Sequence, residues 1–162
     1  MDDKARGKRV DTQVNGSANT LEYKRGRFVA RFRTDYLYSQ SHFWLARQEN
    51  GLWRAGLTRF GTRLIGEMVD YGFGLEPNAP VRPGQVVGWV EGFKAVADLC
   101  SLLEGEFAGG NPALEDDVTL TNNDPHHAGW LYAVKGRPDA QCLPIEAYVQ
   151  FLDETIDRML KA

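Results

Sequence analysis

The chain has 162 residues, 43% of them hydrophobic, which is enough for one core and requires no second domain. Nineteen Lys and Arg against 22 Asp and Glu leave a net charge of −3, which argues against a general nucleic-acid binder, although Lys4–Arg9 and Lys24–Arg33 are locally basic. No apolar run approaches the ~20 residues that span a bilayer, and the N-terminus lacks the apolar centre of a signal peptide, so a cytoplasmic protein without a membrane partner is expected. Residues 1–27 are polar and aperiodic and read as a flexible N-terminal extension. The domain is expected to span 28–143, opening on Phe28, Ala30 and Phe32 alternating with Val29, Arg31 and Arg33. Tyr36–Tyr38 and His42–Ala46 follow, and Glu49-Asn50-Gly51 predicts a hairpin turn into Leu52–Leu57. Thr58 predicts the cap of a short helix, Phe60, Leu64 and Ile65 its packing face, and Gly66 its end.

A strand over 67–73 and a Pro/Gly-rich approach over 76–84 lead to the central stretch, Gln85–Cys100. Two β-prone apolar runs flank Glu91-Gly92-Phe93-Lys94, which predicts a hairpin with Lys94 exposed at its tip. Gly92 is expected to supply a positive φ there. Leu102–Ala108 predicts another strand, with Gly105 marking a bulge or a close approach. Asn111 and Pro112 predict the start of a short acidic helix from Ala113 towards Leu120, and Asp124–Trp130 is a loop feeding a strand. Over 144–162, Ile145, Tyr148, Phe151, Leu152, Ile156, Met159 and Leu160 recur at three and four, so a C-terminal amphipathic helix should pack on the domain with Asp153, Glu154 and Asp157 in water.

Apart from Lys94 there is little catalytic equipment. No nucleophile elbow, phosphate loop, dinucleotide fingerprint or His-Glu-x-x-His occurs. Glu104 with Glu106 and Asp116 with Asp117 are explained by strand alternation and helix-start chemistry. Cys100 and Cys142 read as free, packed thiols, and His42, His126 and His127 are too scattered to hold a metal. A fold without acid, base or nucleophile suits carrying a group better than making or breaking bonds.

The run Gly88–Asp98, then Gly105-Glu106, Asn111–Glu115 and the Asp124-Pro125 to Gly129-Trp130-Leu131 pattern resemble the H-protein family, the lipoate carriers of the glycine cleavage system. The resemblance covers about residues 36–152. It implies a mainly β barrel-sandwich hybrid of small antiparallel sheets with short peripheral helices. It also implies lipoate covalently attached to Lys94, with Glu91 three residues before and Gly105 eleven after read by a lipoate ligase or lipoyl-assembly enzyme. Gly92, Phe93, Ala95 and Asp98 would shape the hairpin and its docking surface. Acylation would remove the lysine's charge and add a redox-active arm, so the protein supplies reach and recognition, not catalysis.

The chain departs from the family's usual Glu-Ser-Val-Lys-Ala-Ala-Ser-Asp-Val-Tyr-Ala-Pro. It has Glu91-Gly92-Phe93-Lys94-Ala95-Val96-Ala97-Asp98-Leu99-Cys100-Ser101-Leu102, and Phe43 where the family has Glu in His-Glu-Trp. Cys100 stands at the usual tyrosine. These departures look more like the lipoate-binding proteins of the heterodisulfide-reductase-like sulfur-oxidation complex, whose arm would carry sulfur intermediates. The alternatives are an aminomethyl carrier working with glycine cleavage enzymes, and an interaction module without lipoate.

Overall fold

The computed structural model describes residues 9–12 and 19–161. The ladders between named strands are all antiparallel, several of them between chain neighbours joined by a short turn. β1 (Arg9–Thr12), β2 (Thr20–Arg25) and β3 (Phe28–Arg33) form one three-stranded sheet. The domain therefore begins before Phe28: Leu21 and Tyr23 of β2 are buried, and the rest of the expected extension, 1–8 and 13–18, lies outside the described residues. β4 (Leu37–Tyr38) and β5 (Phe43–Arg47) follow, and β5 turns through Asn50 and Gly51 into β6 (Leu52–Leu57). Both turn residues have positive φ, 61° and 77°, as a tight hairpin of this twist requires.

α1 (Arg59–Ile65) is capped as expected: the Thr58 hydroxyl accepts from the Gly61 N–H at 3.1 Å, and Gly66 closes the helix at φ 85°. Phe60 and Ile65 are buried, but Leu64 points out, since a seven-residue helix turns only two rows inward. β7 (Met68–Phe73), β8 (Pro80–Val81), β9 (Val86–Gly92) and β10 (Val96–Cys100) come next. β9 is the centre of a second three-stranded sheet, β10-β9-β7.

β11 (Leu103–Gly110) pairs with β12 (Tyr132–Pro138), completing a six-stranded sheet in the order β4-β5-β6-β12-β11-β8. The bulge of β11 falls between Phe107 and Gly109 and not at Gly105. Gly105 is instead a close approach, because a Cβ there would overlap the Lys135 carbonyl oxygen. The expected acidic helix is two single turns, α2 (Ala113–Asp116) and α3 (Leu120–Asn123). Asn111 holds this corner: its Oδ1 accepts from Ala113 N–H at 3.0 Å and its Nδ2 donates to the Ala128 and Trp130 carbonyls, each at 2.8 Å.

α4 (Ile145–Lys161) buries Ile145, Tyr148, Val149, Leu152 and Ile156. Met159 and Leu160, expected on the packing face, are 53% and 68% exposed, because the helix runs past the sheet it lies on. Asp153 and Asp157, expected in water, are half-buried against β2. Tyr23 donates to Asp153 at 2.7 Å, and Arg25 reaches Asp157 at 2.7 Å and Asp153 at 3.5 Å.

Two cores result. One lies between the six-stranded sheet and the β10-β9-β7 sheet, with Leu45, Val90, Leu99, Leu103 and Val134 at its centre. The other is aromatic and joins β2, β3 and α4 around Phe32, which meets Tyr23, Tyr38 and Tyr148 edge-on at 5.6–5.9 Å. Two histidines are locked into it. His42 Nδ1 meets the Tyr148 hydroxyl at 2.9 Å, and His126 Nε2 accepts from the Arg59 N–H at 2.9 Å while Nδ1 faces the Arg31 carbonyl at 3.0 Å.

Burial pushes both imidazoles down to about 4, so between pH 6.5 and 4 the unfolded chain binds protons that the folded one does not. Stability is whole above pH 6.5 and falls as the pH drops towards 4. Urea unfolding is expected to show a loss on the order of 2–3 kcal/mol for His42 alone between pH 7 and pH 4. H42F should roughly halve the slope that the two imidazoles produce together, leaving the part due to His126.

Candidate functional site

From Gly88 to Gly92 β9 alternates, with Val90 inward and Trp89 and Glu91 outward, while Val87 is buried beside the bulge at Leu99/Cys100; β10 returns antiparallel with Val96 opposite Glu91 and Asp98 opposite Trp89. The hairpin tip is Phe93-Lys94, closed by the Gly92 N–H donating to the Ala95 carbonyl at 2.9 Å. The positive φ expected at Gly92 is absent. Glycine is needed there for space: a Cβ would overlap the Ile65 carbonyl oxygen and side chain.

The tip leans on the end of α1. The Phe93 N–H donates to Glu67 O at 3.0 Å, and the Lys94 N–H donates to Ile65 O at 2.8 Å. Lys94 Nζ donates to Arg63 O at 3.0 Å. The last turn of a helix has carbonyls without intrahelical partners, and the Lys94 amide and amine answer two of them, with the cation at the end that the helix dipole favours. Gly66 makes room, since a Cβ there would press on the Lys94 amide nitrogen at 3.0 Å. Lys94 is exposed and makes no ion pair among the described residues.

Phe93 is 75% exposed, and Ala95 and Asp98 are also open to solvent. Trp89, Val96 and Phe93 form an apolar strip on the outer face, edged by Glu91, Asp98 and Asp70, which is the register partner of Glu91 on β7. Gly105 lies in the other sheet, between Val81 of β8 and Gly136 of β12, so the fold does not place it in the hairpin. Cys100 sits half-buried at the far end of β10, where its carbonyl accepts from the Tyr132 hydroxyl at 3.3 Å. Cys142 is half-buried, and burial pushes its thiol up to about 11. Among the described residues no group of His, Cys, Asp and Glu could hold a metal. Glu104, Glu106, Asp116 and Asp117 are all exposed or partly so.

Sequence reasoning misses the part α1 plays. It marks the helix as packing, whereas the helix end is the seat of Lys94; the available signal is Gly66, a helix-ending glycine whose close neighbour only the fold can name.

Residues 36–154 match the glycine cleavage H-protein family. The chain belongs to that family. It is 36% identical over 118 residues to the glycine cleavage system H protein of Corynebacterium jeikeium (strain K411), covering 71% of this chain and 92% of that one. The H protein of Klebsiella pneumoniae subsp. pneumoniae is 32% identical over 120 residues, covering 72% and 92%. The crystal structure of a glycine cleavage system H protein from Mycobacterium marinum superposes with a TM-score of 0.66 at 29% identity, covering 74% of this chain and 97% of that one. H-protein family members carry lipoate covalently on a lysine and are carriers, not catalysts. The chain is accordingly a lipoyl carrier of the expected mainly β, H-protein-like fold. No helix among the described residues is long and apolar enough to cross a membrane. The β2–β3 hairpin and the last turns of α4 lie outside the matched range.

If the seat of the tip depends on the close approach at Gly92, then G92A forces the hairpin off α1 and costs about 1–3 kcal/mol by urea denaturation. F93A, at an exposed position, should leave stability within about 0.5 kcal/mol of the parent.

Proposed function

We propose that Lys94 is the lipoyl attachment site and that the chain is the aminomethyl carrier of a glycine cleavage system. The observation that carries this reading is the placement of Lys94: an exposed tip, seated by backbone hydrogen bonds on α1, with its amine clear of any carboxylate among the described residues. A ligase needs the amine accessible, and a carrier needs its arm to start from a rigid point, so that reach is set by the arm and not by a loose loop. The residues fit the group, because an amide formed at Nζ keeps one N–H, enough for the bond to the Arg63 carbonyl. When bound, lipoate would supply a cyclic disulfide that opens to take the transferred group on one sulfur and is left as a dithiol once the group is delivered. The protein presents the lysine, and Glu91 in the outward row of β9 is available for a ligase to read. The apolar strip of Phe93, Val96 and Trp89 with its acidic edge suits docking to partners with an apolar patch rimmed by basic residues.

The glycine cleavage reading is favoured over sulfur oxidation because the relatives named above are glycine cleavage proteins. The residues that lean the other way also have local accounts. Gly92 is dictated by contact with Ile65, and Phe43 and Leu99 fill the core.

Co-expression with a lipoate ligase should add one lipoyl group by intact mass, and K94R should carry none while keeping the parent's melting temperature. An unmodified parent chain would end the carrier assignment for Lys94. In reconstitution with glycine decarboxylase and aminomethyltransferase, the lipoylated protein should support turnover, and F93A should raise the apparent KM for the carrier. A fully lipoylated carrier that supports no turnover would remove the glycine cleavage reading and leave the lipoyl site standing.

A further inference from the structure

At the end of α1 opposite Lys94, a polar cavity of about 290 Å³ opens between the β2–β3 hairpin and the loop after α3. Thr20, Arg31 and Arg33 line it from the hairpin, Arg59 from α1, and Asp124 and His127 from the loop. The hairpin lies outside residues 36–154, so two of the three guanidinium groups belong to this chain's own addition to the family fold.

β3 buries Phe28, Ala30 and Phe32 and turns Val29, Arg31 and Arg33 outward, so the two arginines share one face, about 7 Å apart along the strand. The His126 imidazole ties Arg59 to that strand: Nε2 accepts from the Arg59 N–H at 2.9 Å, and Nδ1 faces the Arg31 carbonyl at 3.0 Å. The backbone at the start of α1 is therefore already engaged, and what Arg59 offers the cavity is its guanidinium. That group is half-buried, burial pushes its pKa down, and among the described residues it makes no ion pair. Its side-chain hydrogen bond runs from Nη1 to the Asn122 carbonyl at 2.8 Å, and none of its other nitrogens is buried without a partner, so donors on Nε and Nη2 are open to solvent. Arg31 is held by Glu22 through Nη2 alone, and Arg33 by Asp35 through Nε and Nη2, which leaves donors on each. Asp124, the carboxylate that lines the cavity, is turned to its own loop: Oδ2 accepts from the Ala128 N–H at 3.2 Å and faces His127 Nδ1 at 3.7 Å.

We propose that this cavity binds a tetrahedral oxyanion of the phosphate class, which bridges Arg59 to Arg31 and Arg33. A half-buried cation bonded to a carbonyl has given up hydration without gaining a counter-charge, and a bound anion supplies one. A carboxylate presents two oxygens in one plane, which a single guanidinium fork satisfies. Guanidinium groups brought from a strand and from a helix suit oxygens that point in several directions. The anion would join the added hairpin to the helix that seats Lys94 without touching the lysine, so the site does not rest on the lipoyl reading. Free phosphate and the phosphate of a monoester share this chemistry.

The test titrates the full, ¹⁵N-labelled chain with inorganic phosphate near neutral pH and at fixed ionic strength, read on the arginine Nε–Hε signals. The Arg59 signal, identified by its loss in R59K, should shift saturably with a Kd on the order of 1 mM. R59Q and the exposed-side pair R31Q/R33Q should each weaken binding about tenfold, as loss of charge-assisted hydrogen bonds does. R137Q, which removes an exposed arginine paired with Glu104 elsewhere, should bind as the parent does. Adenosine monophosphate that binds more tightly than phosphate supports the site and makes its ligand a phosphomonoester; weaker binding supports it with the free ion as ligand. An unsaturable shift, or acetate binding as tightly as phosphate, would overturn the proposal. So would an R31Q/R33Q chain that melts like the parent and binds phosphate equally well.

Discussion

The hairpin's hold on the end of α1 is the contact on which the candidate site depends. A two-residue tip has amide groups that the β-ladder cannot satisfy, and a helix end has carbonyls that the helix cannot satisfy. Here each set answers the other: Phe93 and Lys94 donate their amides to Glu67 and Ile65, and the Lys94 amine donates to Arg63. The fit requires a missing side chain on both faces, at Gly66 and at Gly92. The helix is in turn fixed at its start by the Thr58 hydroxyl and by the His126 imidazole on the Arg59 N–H. A lysine at the end of this chain of contacts is exposed without being loose, which is what an attachment point for a mobile arm requires.

The two cores divide the labour. The core between the β10-β9-β7 sheet and the six-stranded sheet holds the hairpin and lies within the range matched to the family. The aromatic core adds the β2–β3 hairpin and α4, tied by the Tyr23 and Arg25 contacts to Asp153 and Asp157. These additions approach the same helix end from the other side, and so a groove opens beside Lys94 with walls that the family range alone does not supply. An ion pair that is half-buried and shared between two acids positions the last turns of α4 more firmly than an exposed pair would.

Departures from a family pattern are easily given functional meaning, and here the structure offers simpler grounds. Phe43 is 7% exposed and packs in the core of the two sheets, so it is accounted for by burial. Leu99 is wholly buried in the same core. Cys100 pairs with Val86 at a bulge in the ladder, at the end of β10 away from the tip, with its carbonyl engaged by Tyr132. None of these residues contacts the Lys94 amine, whose hydrogen bond is to Arg63.

Much of the fold is legible in local chemistry alone. The Asn50-Gly51 turn, the Thr58 cap, the Gly66 stop and the lysine between two strands are all written in short-range pattern, because turns, caps and pleats are decided within a few residues. Where that pattern fails, a distant partner intervenes. Gly92 reads as a φ requirement and is a contact requirement, since Ile65 approaches it from another element. Asp153 and Asp157 read as solvated charges and are half-buried because Tyr23 and Arg25, some 130 residues earlier, come to meet them. The sequence by itself determined which lysine stands at the tip of which hairpin and which family the chain resembles. Only the tertiary structure decided that α1 seats that lysine, and that the β2–β3 hairpin and the end of α4 meet beside it in an apolar, arginine-rimmed groove, because such a groove exists only when segments with no local relation pack together.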